Sequence, residues 1–382
     1  MEKAESKEDV DISLTYWHQY MDKEKREYAL EKLNDEQLAL NVPIILYISV
    51  CMTLGTLGNS AVVYIFYRKM RKTATNFFVA ALGICDLVCC TIYMPVDIIS
   101  LRYSMTFYSE FLCHLENFSF AIGTIYASEI IFCIVVERYL RVCQPFRKHI
   151  SRRLALKMMP FMFLISFLLS IPAVWVFGKR TIWTGMYGIT VEICSYDEDN
   201  IHEVYPLYYY CTLLSLNLLV FNILMVLYYR IGLCVWRYKK RRMKELQKIN
   251  EGPRDPSEEE VNDAQDNVSV HHVTMKPYKI DQLNEAFKEK EKLIKKTNIV
   301  FFIVSLVWII SYLPHYIATL WTIVHRQGVS PESKSYVPYE IAIRSYFMSC
   351  VANPFIYGLL NIRFRRELCK LFEKIFRRDS FY

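Results

Sequence analysis

The sequence lacks two features that are typical of other membrane and secreted proteins. Its first 41 residues, rich in Glu, Asp and Lys, contain no apolar core of a signal peptide. We therefore expect no cleaved leader, and we expect the first apolar run to direct insertion into the membrane. The sequence also shows no internal repeat, whereas many secondary transporters are built from repeats.

Apolar residues, by contrast, are abundant. The chain of 382 residues is 53% hydrophobic and 15% aromatic, which is more than a soluble domain usually carries. A helix needs about 20 predominantly apolar residues to cross a bilayer. Seven runs of that kind lie at 42–67, 77–101, 111–137, 158–178, 204–235, 298–324 and 337–360. The sequence therefore predicts an all-α membrane protein, folded as a seven-transmembrane helix bundle.

Basic residues in the short connectors predict the orientation, because positively charged connectors stay on the cytoplasmic side. One side of the bundle carries Arg68, Lys69, Arg71, Lys72, Arg147, Lys148, Arg152, Arg153 and a basic tail. We expect a multi-pass protein of the plasma membrane with its N terminus outside and its C terminus in the cytoplasm. The net charge of +7 then reflects the cytoplasmic face and not nucleic-acid binding.

Two of the 12 cysteines differ from the rest, most of which lie inside apolar runs and fit small buried hydrophobic residues. Cys113 opens the third run at its outer end, and Cys194 lies in the long outer connector before the fifth run. Both face an oxidising compartment, so we expect a disulfide that ties this connector to the third span.

The third run ends in the charged sequence Glu137-Arg138-Tyr139. From Cys113 to Arg138 there are 25 residues, or about 37 Å of helix at 1.5 Å per residue. A helix that begins at the outer surface thus places the charged pair at the inner one. An interfacial anchor is the alternative interpretation of this pair, since arginine side chains reach the interface readily.

Motifs in the other runs decide between these interpretations. In chain order the set comprises Asn59 in "GNSAVV", Asp86 in "ALGICDLV", Cys113, Glu137-Arg138-Tyr139, Cys194, Tyr228, Pro314, and Asn353, Pro354 and Tyr357 in "NPFIY". This ordered set resembles the rhodopsin-like (class A) family of G-protein-coupled receptors. The resemblance covers roughly residues 42–375.

The resemblance implies a receptor that activates a heterotrimeric G protein and that is neither an enzyme nor a cofactor- or metal-binding protein. In this family a helix of the G-protein α subunit enters an inner cavity against an arginine and two tyrosines, here Arg138, Tyr228 and Tyr357. Glu137 and Tyr139 flank the arginine in the same switch. Arrestin is a further partner of the family.

A polar network is implied in the middle of the bundle. An isolated aspartate near the bilayer centre costs about 2.5–3.5 kcal/mol, so Asp86 needs partners. The resemblance supplies Asn59 and Asn353 through a water and ion network, with structural contact between helices as the alternative. Pro314 and Pro354 each remove a backbone hydrogen bond and kink their helices, so the inner halves can swing and release the inner arginine.

The chain departs from the family pattern at five positions. They are Met162 for a tryptophan, Val220 for a proline, Tyr312 for the tryptophan of span six, Ala127 for a sodium-binding hydroxyl, and Ile294 for an acid that would hold Arg138. Because Ala127 has no hydroxyl, the sequence argues against sodium modulation. A raised basal activity is the hypothesis that follows from the missing acid.

The ligand site is predicted from the outer halves of the spans. Monoamine receptors of the family carry an aspartate where this chain has Phe120, so an amine lacks its anchor. The remaining outer positions combine charges of both signs with aromatic side chains. The candidate ligand-binding residues are Asp97, Glu116, Asn117, Phe120, Tyr312, His315, Glu340 and Arg344. Such a site favours a zwitterionic or amidated peptide, although Arg344 and Glu116 or Asp97 could instead neutralise one another.

The connector "GMYGITVEICSYDED" alternates like a hairpin, as in peptide-binding members of the family. A neuropeptide or peptide hormone is therefore the expected ligand, with a lipid or another small molecule as the alternative. An opsin is disfavoured because no lysine lies between Lys334 and the tail. A transporter or channel would carry a continuous path of ionisable residues, whereas Glu129 has no evident chain of partners and fits an acid hydrogen-bonded between helices.

We divide the chain into three parts. An extracellular segment (1–41) precedes the bundle (42–360), whose cytoplasmic connector 236–296 is charged, helix-favouring at its ends and disordered in its middle. An amphipathic helix and a cytoplasmic tail (361–382) follow. The helix places Phe364, Leu368 and Phe372 at helical spacing, which predicts contact with the lipids of the inner leaflet. Cys369 is a candidate for palmitoylation, with an unmodified residue as the alternative.

Overall fold

The computed structural model describes residues 23–106, 109–183, 189–196, 204–250, 277–325 and 328–378. Its elements are α1 (Lys23–Tyr64), α2 (Ala74–Val88), α3 (Met94–Arg102), α4 (Glu110–Cys143), α5 (Arg152–Ser170), α6 (Ala173–Val176), β1 (Phe177–Trp183), β2 (Thr190–Tyr196), α7 (Tyr205–Asn250), α8 (Pro277–His325), α9 (Tyr336–Ile343), α10 (Phe347–Leu360) and α11 (Ile362–Arg378). One π-helical turn, Ile65–Lys69, extends α1, and another, Cys89–Tyr93, joins α2 to α3.

Each of the seven predicted runs is helical over most of its length. Among the described residues, six helical segments are long and apolar enough to cross a membrane, and Phe347–Leu360 is a shorter apolar helix. The seventh span therefore consists of α9 and α10 together, which the sequence does not reveal. Between them the amides of Arg344, Ser345 and Phe347 bond to carbonyls three residues earlier, at 3.1–3.2 Å. This tighter winding is that of a 3₁₀ turn, and it ends one helix and starts the next.

Hydroxyl side chains cap the first turn of three of the spans. Thr73, Ser109 and Ser151 precede α2, α4 and α5, and each side-chain oxygen accepts a hydrogen bond from the backbone amide three residues on. Such caps satisfy an amide that the helix itself leaves free. The capped end of α4 lies beside Cys113 and so fixes where the third span begins.

The first helix starts at Lys23, well before the apolar run at 42. Polar side chains in this extension are buried: Asn34 and Asn41 donate to backbone carbonyls at the end of α3, at 3.1 and 3.0 Å. Gln37 donates to the Tyr336 hydroxyl at the start of α9, at 2.6 Å. Residue 42 is therefore not a break in the helix, and part of the predicted N-terminal segment is joined to the bundle.

The outer connector before α7 forms a β-hairpin, as the alternation predicts. β1 pairs antiparallel with β2, and Lys179 lies opposite Cys194. The first strand lies before the quoted stretch, at the end of the fourth apolar run. Ile189 and Val191 are buried against Ala29 of α1, so the hairpin and the extended first helix support one another.

The predicted helical extensions of the fifth and sixth spans are present, because α7 continues to Asn250 and α8 begins at Pro277. The predicted disordered middle of the connector lies at 251–276, outside the described residues. The outward faces of the spans carry exposed large apolar side chains, among them Leu57, Leu164 and Val226. An apolar lateral surface of this kind fits hydrocarbon better than water.

Candidate functional site

The predicted disulfide is present at the outer end of the bundle. Cys113 of α4 is bonded to Cys194 of β2. Asn117, one helical turn below Cys113, donates to the Cys113 carbonyl at 3.0 Å and to the Cys194 sulfur at 3.4 Å. Asn117 therefore supports the tether, and this contact occupies its amide group.

Below the tether lies an outer charged cluster, formed by Asp97, Glu116, Glu340 and Arg344. Asp97 accepts from the Nε and Nη2 atoms of Arg344 at 2.8 and 3.0 Å. Glu340, one turn earlier on α9, accepts from Nη1. Each of the three guanidinium nitrogens thus has an acid partner. The alternative interpretation of the charges, that Arg344 and Asp97 neutralise one another across the bundle, matches this geometry.

Glu116 is the acid of the cluster that Arg344 does not bind. Ser100 lies beside it, and the charges of Asp97 and Arg344 act on it as well. Among the described residues the cluster thus contains three carboxyl groups and one guanidinium. This excess of acid favours a positively charged ligand group beside Glu116, which lies one turn before Phe120 on the same helix.

An aromatic floor, formed by Tyr93, Phe120, His315 and Tyr346, closes the outer cluster from below. The ring centroids of Phe120 and Tyr346 are 4.5 Å apart, and His315 lies 5.2 Å from each of them. The Tyr346 hydroxyl donates to that of Tyr93 at 3.4 Å. Tyr93 and Tyr346 are not among the predicted ligand residues, and no sequence motif singles them out, because their contact joins spans two and seven.

Three polar atoms on the fifth and sixth spans are buried without a partner among the described residues. His315 places Nδ1 at 2.6 Å from the Ile343 carbonyl on the seventh span, so Nε2 is turned toward the bundle interior. Nε2 of His315, the Tyr209 hydroxyl and Nε1 of Trp308 are buried, and the part of the chain that the structure describes offers them no hydrogen-bond partner. Buried polar groups normally have partners, so these atoms fit a site that a polar ligand completes.

Tyr312 occupies the centre of the bundle, where the family usually has tryptophan. Its hydroxyl donates to Thr124 of α4 at 3.2 Å, and its ring lies 5.3 Å from Trp308 and 5.8 Å from Tyr346. The residue therefore links the aromatic floor to the span that carries the inner arginine. Tyr312 itself already has a hydrogen-bond partner.

Two members of the predicted polar network, Asp86 and Asn353, are in direct contact. Asn353 donates to Asp86 at 2.8 Å. Asn59 instead donates to the backbone carbonyls of Cys350 and Gly55, at 2.8 and 3.0 Å. The physical reason is that these carbonyls lie beside Asn59, where they accept its amide directly. Pro354 packs so closely on Gly58 that a Cβ there would lie 2.7 Å from its ring.

The inner cluster comprises Glu137, Arg138, Tyr228 and Tyr357. Glu137 is fully buried and accepts from Thr75 of α2 and from Arg141, to which the Nε bond is 2.8 Å. The neighbouring arginine takes no part in this pair. Thr75 was not among the predicted residues, because its contact joins two spans distant in sequence.

Arg138 lies over an aromatic ring. Its guanidinium carbon is 4.8 Å from the centroid of Phe301 on α8, and its Nε atom has no hydrogen-bond partner among the described residues. Tyr139 beside it is partly buried. The position expected to hold an acid, Ile294, supplies none, so no carboxylate of α8 competes for Arg138 there.

The two inner tyrosines lie on spans five and seven. The Tyr228 and Ser305 hydroxyls are 3.0 Å apart, which joins α7 to α8. The Tyr357 hydroxyl is buried with no partner among the described residues. Its ring lies 5.3 Å from Phe66 and 6.1 Å from Phe364 of α11.

The amphipathic helix α11 follows the seventh span directly. Phe364 is buried and stacks on Phe66 at 5.7 Å, which anchors the helix to the first span. Cys369 is exposed. On the polar side, a 2.7 Å hydrogen bond from Lys370 lowers the pKa of Glu367.

Glu129, the remaining acid deep in the third span, accepts a hydrogen bond from Ser166 of α5 at 3.0 Å. This is the arrangement expected of an acid hydrogen-bonded between two helices. It does not extend into a path of ionisable groups among the residues described.

Comparisons with known proteins agree with this geometry. Residues 58–357 match the family described as 7 transmembrane receptor (rhodopsin family). The cholecystokinin receptor type A of Homo sapiens is 22% identical over 342 residues, which is 85% of this chain and 78% of that protein. The neuromedin-U receptor 2 of Rattus norvegicus is 22% identical over 346 residues, which is 89% of this chain and 77% of that protein.

A solved structure shares the fold. The crystal structure of squid rhodopsin superimposes with a TM-score of 0.65 at 17% sequence identity, and the match covers 90% of this chain and 87% of that one. At this identity the likeness concerns the arrangement of helices.

Proposed function

We propose that this chain, which belongs to the rhodopsin family of seven-transmembrane receptors, is a receptor for an extracellular peptide and activates a heterotrimeric G protein. Membership makes it a signalling receptor of the membrane and not an enzyme. The observation that carries the proposal is the match of residues 58–357 to the family, with its motifs in order on the expected spans.

The orientation is part of the proposal. We place the N terminus, the hairpin and the disulfide outside the plasma membrane, and the C terminus and α11 in the cytoplasm. The basic connectors after the first and third spans support this orientation. The disulfide supports it as well, because structural disulfides persist in oxidising compartments.

The inner cluster is the proposed G-protein contact. Arg138, Tyr228 and Tyr357 come from three different spans, and the Arg138 Nε and the Tyr357 hydroxyl have unused hydrogen-bonding capacity among the described residues. A helix of the G protein that enters between these spans would meet donors that need partners. Arrestin is proposed to use the same face. The inner-leaflet lipids are proposed to contact α11, with Cys369 as its palmitoylation site.

A peptide is the proposed ligand because the names of the full-length relatives, cholecystokinin and neuromedin-U receptors, refer to peptide ligands. The site supports this class, since a peptide backbone supplies the donors and acceptors that His315 Nε2 and the Tyr209 hydroxyl lack. Glu116, His315 and Phe120 are the proposed contacts. Asp97, Asn117, Tyr312, Glu340 and Arg344 are proposed to shape the site, because the polar group of each is already hydrogen-bonded within the protein.

The charge of the ligand follows from the outer cluster. Arg344 has its guanidinium nitrogens bound to Asp97 and Glu340, so it is a poor anchor for a ligand carboxylate. Glu116 lacks such a partner. We therefore propose a peptide with a basic group near its buried end, in place of a zwitterion held by Arg344.

The test is a ligand screen on cells that express the chain together with a promiscuous G protein. Libraries of amidated peptides with basic, neutral or acidic residues should be compared with lipids and small polar molecules. Activation by basic peptides, absent in cells that express the Arg138→Ala variant, is the expected result. Activation by lipids alone would overturn the peptide assignment and leave the receptor assignment standing.

A further inference from the structure

Two thiols meet at the inner ends of the third and fifth spans. Cys143 is the last residue of α4, and Cys234 lies in α7. Each sulfur lies against the backbone of the opposite helix. The Cys143 thiol donates to the Arg230 carbonyl at 3.7 Å, and the Cys234 thiol donates to the Val142 carbonyl at 3.6 Å.

We propose that Cys143 and Cys234 form an oxidation-sensitive thiol pair, and that a peroxide converts it into a disulfide joining the inner ends of spans three and five. The reciprocal contacts matter because they hold both sulfurs between the two helices. Both sulfurs therefore lie in the same contact between the two helices.

Access suits the pair for oxidation. Both cysteines are partly exposed, whereas Cys350 is buried inside the bundle. Peroxide thus has a route to Cys143 that it lacks to Cys350.

The chemistry balances with hydrogen peroxide as the oxidant. The Cys143 thiolate attacks one peroxide oxygen, the O–O bond breaks, and the sulfur becomes a sulfenic acid while one water leaves. The Cys234 sulfur then attacks that sulfur, and the hydroxyl leaves as a second water. Two thiols and one peroxide give one disulfide and two waters, and a dithiol reductant reverses the change by exchange.

The position gives the bond a consequence, which rests on the proposed function. Arg138 precedes Cys143 by five residues and Tyr228 precedes Cys234 by six, so the pair lies one to two helical turns beyond the inner cluster. A disulfide there fixes the distance between two spans at the proposed G-protein face. We expect it to lower agonist-stimulated nucleotide exchange. Disulfides in a reducing cytoplasm are usually transient and redox-sensing, which suits a reversible switch.

Peptide mapping of the full-length receptor in detergent tests the pair directly. Trypsin releases Cys143 in VCQPFR (142–147) and Cys234 in IGLCVWR (231–237), each with a single cysteine. After peroxide treatment and alkylation of free thiols, both free peptides should be lost and one linked species should appear. Dithiothreitol should restore the two separate peptides.

Variants make the result specific. Cys234→Ser should abolish the linked species, and Cys369→Ser, which removes an exposed cysteine elsewhere, should leave it unchanged. Two unlinked peptides after peroxide, whether reduced or oxidised separately to sulfinic acids, would overturn the proposal. So would a link from Cys143 to another cysteine.

In nucleotide-exchange assays, peroxide should lower the agonist response of the native chain and leave that of Cys234→Ser unchanged. An equal loss in both would refute the regulatory role. A chain that forms the link but never activates a G protein would contradict the proposed function, not the thiol pair.

Discussion

Glu137 and Arg141 form an ion pair across one turn of α4, and its acid is fully buried. The pair gives the acid of the Glu137-Arg138-Tyr139 sequence a partner further along its own helix, while Thr75 ties it to the second span. Arg138 is left to pack on the ring of Phe301. The acid therefore has a structural role in the described state, and the arginine is available for a partner.

The first prediction separates these two arginines. Arg138→Ala should abolish agonist-stimulated nucleotide exchange while surface expression and ligand binding persist, because no ion pair is broken. Arg141→Ala should instead lower stability by about 1–3 kcal/mol, since it leaves a buried acceptor short of a partner. Thermal denaturation and exchange assays on both variants measure the difference. Full signalling by the Arg138 variant would contradict the proposed contact.

The second prediction concerns the missing acid of span six. Ile294→Glu should lower ligand-independent signalling, because a carboxylate at that position can pair with the guanidinium of Arg138. Ile294→Gln is the matched control and should change basal signalling little. Reporter output without ligand, normalised to surface expression, is the measurement. A native receptor that is silent without ligand would contradict the raised basal activity. It would show that the cation–π contact between Arg138 and Phe301 is enough to hold the inactive state.

Much of the fold can be predicted from the sequence, because the requirements of membrane insertion act on short, continuous stretches of the chain. A span must be apolar over about 20 residues, so the seven helices could be read directly, and the disulfide followed from two cysteines on one side. The ion-pair partner of a given side chain, by contrast, is not determined by the neighbouring sequence. Whether Glu137 binds Arg138 or Arg141, and whether Arg344 meets Asp97 or a ligand, depends on helix rotation. The start of α1 at Lys23 was missed for another reason: its buried side chains, such as Asn41, are polar.

The third prediction concerns that extension of the first helix. Asn41 is 1% exposed, donates to the Leu101 carbonyl at 3.0 Å and accepts from Tyr336 at 2.9 Å. Asn41→Ala should destabilise the receptor by about 1–3 kcal/mol, because both partners lose a buried hydrogen bond. Glu36→Ala, on an exposed position of the same helix, is the control. Equal melting temperatures for both variants would show that the extension does not stabilise the bundle.

The fourth prediction concerns the buried pair of Arg344 and Asp97. Removing one partner of a buried pair typically costs about 3–5 kcal/mol, because a charge remains uncompensated. Arg344→Ala should therefore lower thermal stability strongly, and Asp97→Asn added to it should recover part of the loss. Glu116→Gln added to Arg344→Ala should recover less, since Glu116 is not bound to the guanidinium. Strictly additive losses in the Asp97 double variant would argue against the pair.

The last prediction tests the charge of the ligand. Glu116→Gln should lower the potency of a basic peptide agonist by about tenfold, or roughly 1.4 kcal/mol, because the carboxylate without an ion-pair partner is the proposed anchor. An analogue of the same peptide with its basic group made neutral should lose potency on the native receptor and should not distinguish the two receptors. Glu110→Gln is the control, since Glu110 lies on the same helix but is exposed beside His114. The contradicting outcome is additivity. If neutralising the peptide lowers its potency by the same factor on the native receptor and on the Glu116→Gln receptor, the basic group and Glu116 do not meet, and the proposed anchor is wrong.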